Sequence, residues 1–226
     1  MSARLSVGVL SADLMSLADD IALLEQNGVE MLHFDVMDGH FVPQLTVGPP
    51  FVKAVKTKML KDVHLMIENP FDSIRQYAGA GADIISVHVE SCVHVRACLQ
   101  LIGTLKNINE PRRGIARGIA VNPGTALCEV KPLLEEADVV TLLGINPGYP
   151  GQTLYADSAA RAEKLKELIA ETDREIFLCI DGGVTKENIG EVAKMGPDIV
   201  VTGSAVFENK AVAENLKMMT DALKGM

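Results

Sequence analysis

Short apolar runs alternate with amphipathic stretches from one end of the chain to the other. The runs are Leu5–Leu10, Met31–Met37, Asp62–Met66, Asp83–Val89, Gly114–Val121, Val139–Ile145, Ile176–Ile180 and Ile199–Val201. Their length and flanking turn residues read as strands. Between them, Leu17–Gln26, Phe71–Gly79, Val93–Leu105, Leu127–Glu136, Ala159–Ala170 and Lys186–Lys194 carry helical patterning, and Ala211–Lys224 closes the chain as a further helix. Ser16 stands where it can cap the first helix. Pro49-Pro50 and Pro70 mark helix openings. Gly28, Gly81 and Gly196 each follow a helix and precede a strand, the usual place of a C-terminal glycine. Eight strand–helix units in 226 residues predict an α/β protein, a (β/α)8 TIM barrel forming one domain over residues 1–226. A doubly wound open sheet would show G-x-G-x-x-G after its first strand, and that pattern is absent.

Composition narrows the picture. Hydrophobic residues make up 48% of the chain, but aromatics only 4%, and there is no Trp. The core is therefore expected to be Val, Ile, Leu, Ala and Met. A net charge of −9 argues against nucleic acid or an anionic membrane as partner. A small anion is still allowed, given a local cradle of backbone N–H groups. Cys92, Cys98, Cys128 and Cys179 form no C-x-x-C pair and read as reduced thiols. No secretory h-region follows Met1, and no apolar run approaches the roughly 18 residues of a membrane helix. The expected compartment is the cytoplasm.

The alternation within the strands locates the chemistry. Successive strand side chains point to opposite faces. In the second strand Leu32, Phe34 and Val36 oppose Met31, His33, Asp35 and Met37. In the third, Val63 and Leu65 oppose Asp62, His64 and Met66. In the fourth, Ile85, Val87 and Val89 oppose Ser86 and His88, and in the seventh, Ile176, Leu178 and Ile180 oppose Phe177, Cys179 and Asp181. The apolar faces suit packing against helices. The ionisable faces then point into the barrel near its C-terminal end, where barrel enzymes hold their active sites. Buried charges are costly unless paired or metal-bound. His33, Asp35, His64 and Asp181 converging on the axis would be satisfied by one divalent cation, or alternatively by hydrogen-bonding to one another. A mixed N/O set suits zinc, iron, manganese or cobalt better than calcium. His88 reads as a supporting or core histidine, and His40 and His94 as solvated.

Three glycine-rich segments each follow a strand and precede a helix: Asn146–Gln152, Asp181–Gly183 and Thr202–Ala205. Singly each could be a plain turn. Together, at neighbouring late strands, they read as a phosphate cradle.

These stretches carry a family resemblance. Leu10-Ser11-Ala12-Asp13, the long run His33 to Pro43, Asp62 to Met66, Asn146-Pro147-Gly148 through Gln152, Asp181-Gly182-Gly183 and Gly203-Ser204-Ala205 closely resemble the ribulose-phosphate 3-epimerase family, and they span residues 10 to 205. The resemblance implies the compact ribulose-phosphate-binding barrel and a metal-dependent isomerase acting at carbon 3 of a ketose phosphate. It implies that His33, Asp35, His64 and Asp181 hold one divalent metal per subunit, often zinc, with Asp35 and Asp181 also the acid/base pair. It further implies that Ser11, His64, Gly148, Tyr149, Pro150, Gly151, Asp181, Gly182, Gly183, Gly203 and Ser204 contact the sugar phosphate, and that Met37, Met66 and Leu143 wall the reacting centre. A homo-oligomer is the expected assembly. Inverting a carbon needs a proton taken from one face and returned to the other, hence two groups, and a cation stabilises the enediolate formed between.

Three positions depart from the family pattern. Leu143 stands where a methionine is usual, Pro150 where two glycines would adjoin, and Cys179 where an acidic residue is expected. They leave the reaction class in place and open the substrate to D-allulose 6-phosphate or another ketose phosphate beside D-ribulose 5-phosphate. A Schiff-base aldolase would need an inward lysine, and the candidate, Lys61, stands at the wrong end of its strand. The D-x-K-x-x-D pattern of related decarboxylases is absent. A non-catalytic metal- and phosphate-binding barrel is the alternative of another class.

Overall fold

The computed structural model describes residues 3–149 and 151–224. Eight parallel strands close into a barrel in sequence order. They are β1 (Arg4–Gly8), β2 (Met31–Met37), β3 (Leu60–Met66), β4 (Ile84–His88), β5 (Ala116–Val121), β6 (Val139–Leu143), β7 (Phe177–Asp181) and β8 (Ile199–Thr202). The helices are α1 (Leu17–Gln26), α2 (Pro49–Ala54), α3 (Phe71–Gly79), α4 (Val95–Thr104), α5 (Ser158–Ala170), α6 (Ile189–Lys194), α7 (Ser204–Phe207) and α8 (Val212–Lys224). Closure is made by β1 against β8, from Arg4 opposite Ile199 to Val7 opposite Thr202.

The predicted alternation sorts side chains as expected. Leu32, Phe34, Val63, Leu65, Ile85, Val87, Val140, Leu142, Leu178 and Ile180 all join the cluster shared with the helices. The barrel interior is layered. Its N-terminal end is filled by Met31, Ile84, Val139, Cys179, Ile199 and Val201. Cys179 thus occupies an apolar layer, and burial pushes its thiol well above the ordinary range.

Three sequence expectations need correction. The stretch Leu127–Glu136 is not an α-helix but two 3₁₀ turns, Leu127–Glu129 and Lys131–Glu136. Pro132 has no N–H to return to the preceding turn and its ring crowds that turn's carbonyl, so the α-helical ladder cannot run through it. Ser16 precedes α1 but its side chain caps nothing, because its backbone (φ −129°, ψ 23°) departs from the extended geometry that aims a capping oxygen at the first turn. The first strand stops at Gly8, and Val9–Ser11 turn as a 3₁₀ segment that carries Ser11 over the barrel mouth.

A device recurs at the N-terminal end. Each even-numbered strand is preceded directly by an acid: Glu30, Asp83, Asp138 and Asp198. The carbonyl of each accepts an N–H from the next odd strand, that of Leu60, Ala116, Phe177 and Arg4 respectively, at 2.8–2.9 Å. The three aspartates also grip the strand before them. The N–H of each donates to the carbonyl of Lys61, Arg117 or Leu178 at 2.8 Å. The carboxylate of each accepts that same residue's N–H, at 2.7, 2.9 and 2.8 Å. The preceding loop sets this up. After α1 and α3 the chain turns through Gly28 and Gly81, at φ 76° and 92°. Val29 and Ala82 then donate back to Leu24 and Tyr77, a helix ending that favours glycine. The acid follows two residues after each glycine.

Asp138 is the most heavily used of these. It accepts from Arg117 Nε at 2.8 Å, from Arg117 Nη2 at 2.7 Å and from Arg174 Nη2 at 2.7 Å. Burial would raise its carboxyl, but Arg117 and Arg174 hold it below the usual carboxylate range. A carboxyl depressed in the folded state contributes stability above its unfolded pKa and loses it as pH falls through the folded value. Asp138→Ala is therefore expected to cost about 2 kcal/mol near neutral pH in urea unfolding. The deficit should shrink on acidification below about pH 4. A deficit that stays constant down to low pH would show that the ion pairs contribute nothing.

Candidate active site

Strand register assembles the site. His33 lies opposite Asp62, and Asp35 opposite His64, across the β2–β3 pair. From the far side β7 ends in Asp181. One ligand atom from each of His33, Asp35, His64 and Asp181 falls in a group whose members all lie within 4.8 Å of one another. His33 Nε2 is 3.1 Å from Asp35 Oδ1 and 3.6 Å from Asp181 Oδ2. His64 Nδ1 is 3.5 Å from Asp35 Oδ1 and 3.3 Å from Asp181 Oδ2. Both histidines and Asp181 are buried, and Asp35 is half-buried at the mouth.

The cluster fits a cation. His64 Nδ1 is buried and has no directed hydrogen bond, although two carboxylates flank it. A mixed set of two imidazole nitrogens and two carboxylates is a usual environment for a first-row transition metal. Without a cation the same atoms hold protons instead. Burial would lower the His33 imidazole, but Asp62, Asp35 and Asp181 raise it well above its ordinary value. His64 is likewise raised against its burial, through Asp181 and Asp35. Burial would raise Asp35, yet the two imidazoles hold it well below the usual carboxylate range.

A cavity of about 600 Å³ opens above the cluster. Ser11, Asp35, Met37, Gly148, Tyr149, Gly151, Asp181, Gly182, Gly183, Gly203 and Ser204 line it together. Pro150 lies outside the described residues. His33, His64, Met66 and Leu143 are buried beneath rather than lining it. Met66 is in register with Met37, and Leu143 with Asp181. The glycines are required where strand ends crowd together. At Gly183 (φ 72°) a Cβ would stand 2.7 Å from the Leu154 nitrogen. The loop after β6 is stapled by Gln152, whose Nε2 donates to the carbonyls of Asn146 at 2.6 Å and Tyr149 at 2.7 Å. His40 and His94 are exposed, as expected.

Several contributors were not singled out from the sequence. Gln44, Gln152 and Thr185 also line the cavity. Asp62 Oδ2 sits 2.7 Å from His33 Nδ1 and accepts from Ser6 Oγ at 3.1 Å. Its inward parity was a usable signal, since Asp62 shares a face with His64. Lys61 points the other way, its Nζ donating to the Val52 carbonyl at 2.5 Å among the helices.

The sequence model of the ribulose-phosphate 3 epimerase family matches residues 4–207. The chain belongs to this family. It is 37% identical over 218 residues to ribulose-phosphate 3-epimerase of Bacillus subtilis, covering 93% of this chain and 97% of that protein. It is 40% identical over 215 residues to the Rhodobacter capsulatus ribulose-phosphate 3-epimerase, covering 94% and 89%. Among solved structures it is similar to KGPDC from Streptococcus mutans, with a TM-score of 0.71 at 15% identity over 100% of this chain and 99% of that one. A 3-keto-L-gulonate-6-phosphate decarboxylase from Vibrio cholerae gives 0.71 at 14%, over 100% and 99%. Likenesses at such identity show the barrel fold alone.

In this epimerase-family chain the protons on His33 and His64 must leave before either nitrogen can ligate a metal. Zinc binding should therefore release protons, and because both imidazoles are raised, affinity should already fall with pH above the ordinary imidazole range. Calorimetric titration in buffers of different ionisation enthalpy measures both. Binding without proton release, or independent of pH, would place the metal elsewhere.

Proposed function

We propose that the chain epimerises carbon 3 of D-ribulose 5-phosphate to D-xylulose 5-phosphate, with Asp35 and Asp181 as the two proton-transfer groups. The observation that carries this reading is that carboxylates from β2 and β7 meet at the floor of one cavity, beside two imidazoles. Family membership supports the reaction class. His33, Asp35, His64 and Asp181 would hold one divalent ion, zinc by preference for this donor set. A bound cation supplies Lewis-acid stabilisation of the charge that develops on the substrate oxygens.

The rest falls to the chain's own residues. Asp35 lines the cavity beside the two imidazoles and is one of the two carboxylates placed to exchange a proton with a bound sugar. Asp181 faces it from the other side, so that a carbon held between them loses its proton to one carboxylate and regains one from the other with inverted configuration. Met37 offers an apolar, polarisable wall beside Asp35. Gly182, Gly183, Gly203 and Ser204, with Gly148 and Gly151, line the end of the cavity suited to phosphate. Ser11 stands over the sugar. The reading includes one domain over residues 1–226, a cytoplasmic enzyme and a homo-oligomer. No helix among the described residues is long and apolar enough to cross a membrane. Leu14, Met15 and Leu45 expose large apolar side chains in the loops after β1 and β2, as a subunit contact would use.

Zinc-loaded protein is incubated in deuterated water with D-ribulose 5-phosphate and, separately, D-allulose 6-phosphate. Deuterium should enter carbon 3 of the five-carbon sugar as xylulose 5-phosphate forms. Asp35→Asn and Asp181→Asn should each lower that exchange by at least about 10²-fold. Exchange confined to the six-carbon sugar would move the substrate and keep the mechanism. Binding of both sugars with no exchange would leave a non-catalytic phosphate-binding barrel.

A further inference from the structure

His64 is tied to a line of polar groups, running from the buried His88 to the half-buried Glu90, that the proposed reaction does not use. Its Nε2 lies 2.8 Å from His88 Nε2. The two ring planes are within 14° and the centroids 4.9 Å apart, so the rings meet edge to edge through the nitrogens and do not stack. His88 Nδ1 is 3.0 Å from Glu90 Oε2. The other carboxylate oxygen, Oε1, accepts the Asn122 N–H at 2.9 Å. Both rings are fully buried, and Phe41 covers His88 at a centroid distance of 4.8 Å.

Glu90 is used on both oxygens as an acceptor, so His88 Nδ1 carries a hydrogen. A neutral His88 then presents a lone pair at Nε2. Only one hydrogen fits between the two Nε2 atoms, and it must come from His64. Once the proton held on the cluster side has left, His64 keeps its hydrogen on Nε2 and its lone pair on Nδ1, the atom that faces Asp35 and Asp181 and has no directed partner. His33 is held in the same way, with Asp62 on its Nδ1, so that Nε2, 3.1 Å from Asp35 Oδ1, is the nitrogen whose proton a metal ion would replace.

We propose that Glu90 is a positioning residue that acts through His88 to hold His64 as the Nε2–H tautomer, so that Nδ1 is available to a metal ion. This rests on the metal-site reading above. Glu90→Gln is the discriminating substitution. An amide offers one acceptor and one donor, while Asn122 and His88 both need an acceptor. If the amide oxygen stays with Asn122, its NH2 meets His88 Nδ1, the His88 proton moves to Nε2, and His64 is driven to the tautomer that hides its Nδ1 lone pair.

Two measurements test this. In zinc-loaded wild type with ¹⁵N-labelled histidine, long-range ¹H–¹⁵N correlation should find the His64 hydrogen on Nε2 and the His88 hydrogen on Nδ1. Zinc affinity, measured by competition with a chromophoric chelator, should weaken by about 10- to 100-fold in Glu90→Gln. The loss should largely vanish when the same substitution is made in a His88→Gln background, where the glutamine oxygen can itself accept from His64 Nε2–H. An Nε2 without hydrogen on His64 in the zinc-loaded wild type overturns the proposal, whether or not the variants fold. So does wild-type zinc affinity in Glu90→Gln. Failure of the wild type itself to bind zinc would instead overturn the metal-site reading, and the proposal with it.

Discussion

Two carboxylates and two imidazoles share one largely water-excluded space at the C-terminal end of the barrel, with their ligand atoms within 4.8 Å of one another. Like charges so close and so poorly solvated repel strongly unless protons or a cation lie between them. Such a cluster persists only where the scaffold over-determines the positions of its members. Here each comes from a regular strand, and strand register puts Asp35 beside His64 and His33 beside Asp62. The hydrogen bonds behind the histidines leave each ring one orientation: Asp62 behind His33, His88 and Glu90 behind His64.

The opposite end of the barrel explains how the register is kept. Acids occur at both ends, in two different situations. Glu30, Asp83, Asp138 and Asp198 precede the even strands, and the three aspartates bind the neighbouring strand with both backbone and side chain. Their charges are met by N–H groups and, for Asp83 and Asp138, by arginines. Asp35 and Asp181 sit at the strand ends with imidazoles as neighbours and a cavity above. One set fastens the staves; the other lines the cavity. The division agrees with the separation of stability and activity between the two faces of barrel enzymes.

Much of this was legible in the sequence. Alternation alone separated the helix-facing positions from the inward ones and so brought His33, Asp35, His64, His88 and Asp181 to one axis. The recurring acid before an apolar strand, as in Gly81-Ala82-Asp83-Ile84 and Gly196-Pro197-Asp198-Ile199, was also in plain view. It has no meaning until strand neighbours are known, because what the acid binds is a residue about twenty positions away. The four-residue helix α7 has too few turns for any periodicity to show. Helical spacing in Leu127–Glu136 was real, but Pro132 decides the backbone through a missing donor that hydrophobic patterning does not register.

The sequence by itself determined the class of architecture, the inward set of ionisable residues and the glycine-rich end, because strand alternation and the φ freedom of glycine are local properties carried by neighbouring residues. Only the tertiary structure decided which nitrogen of each histidine faces the cluster, which residues line the cavity, and that Glu90 reaches His64 through His88. Those depend on distances between strands, and interstrand distance is set by register and barrel closure, to which every strand contributes and which no single segment encodes.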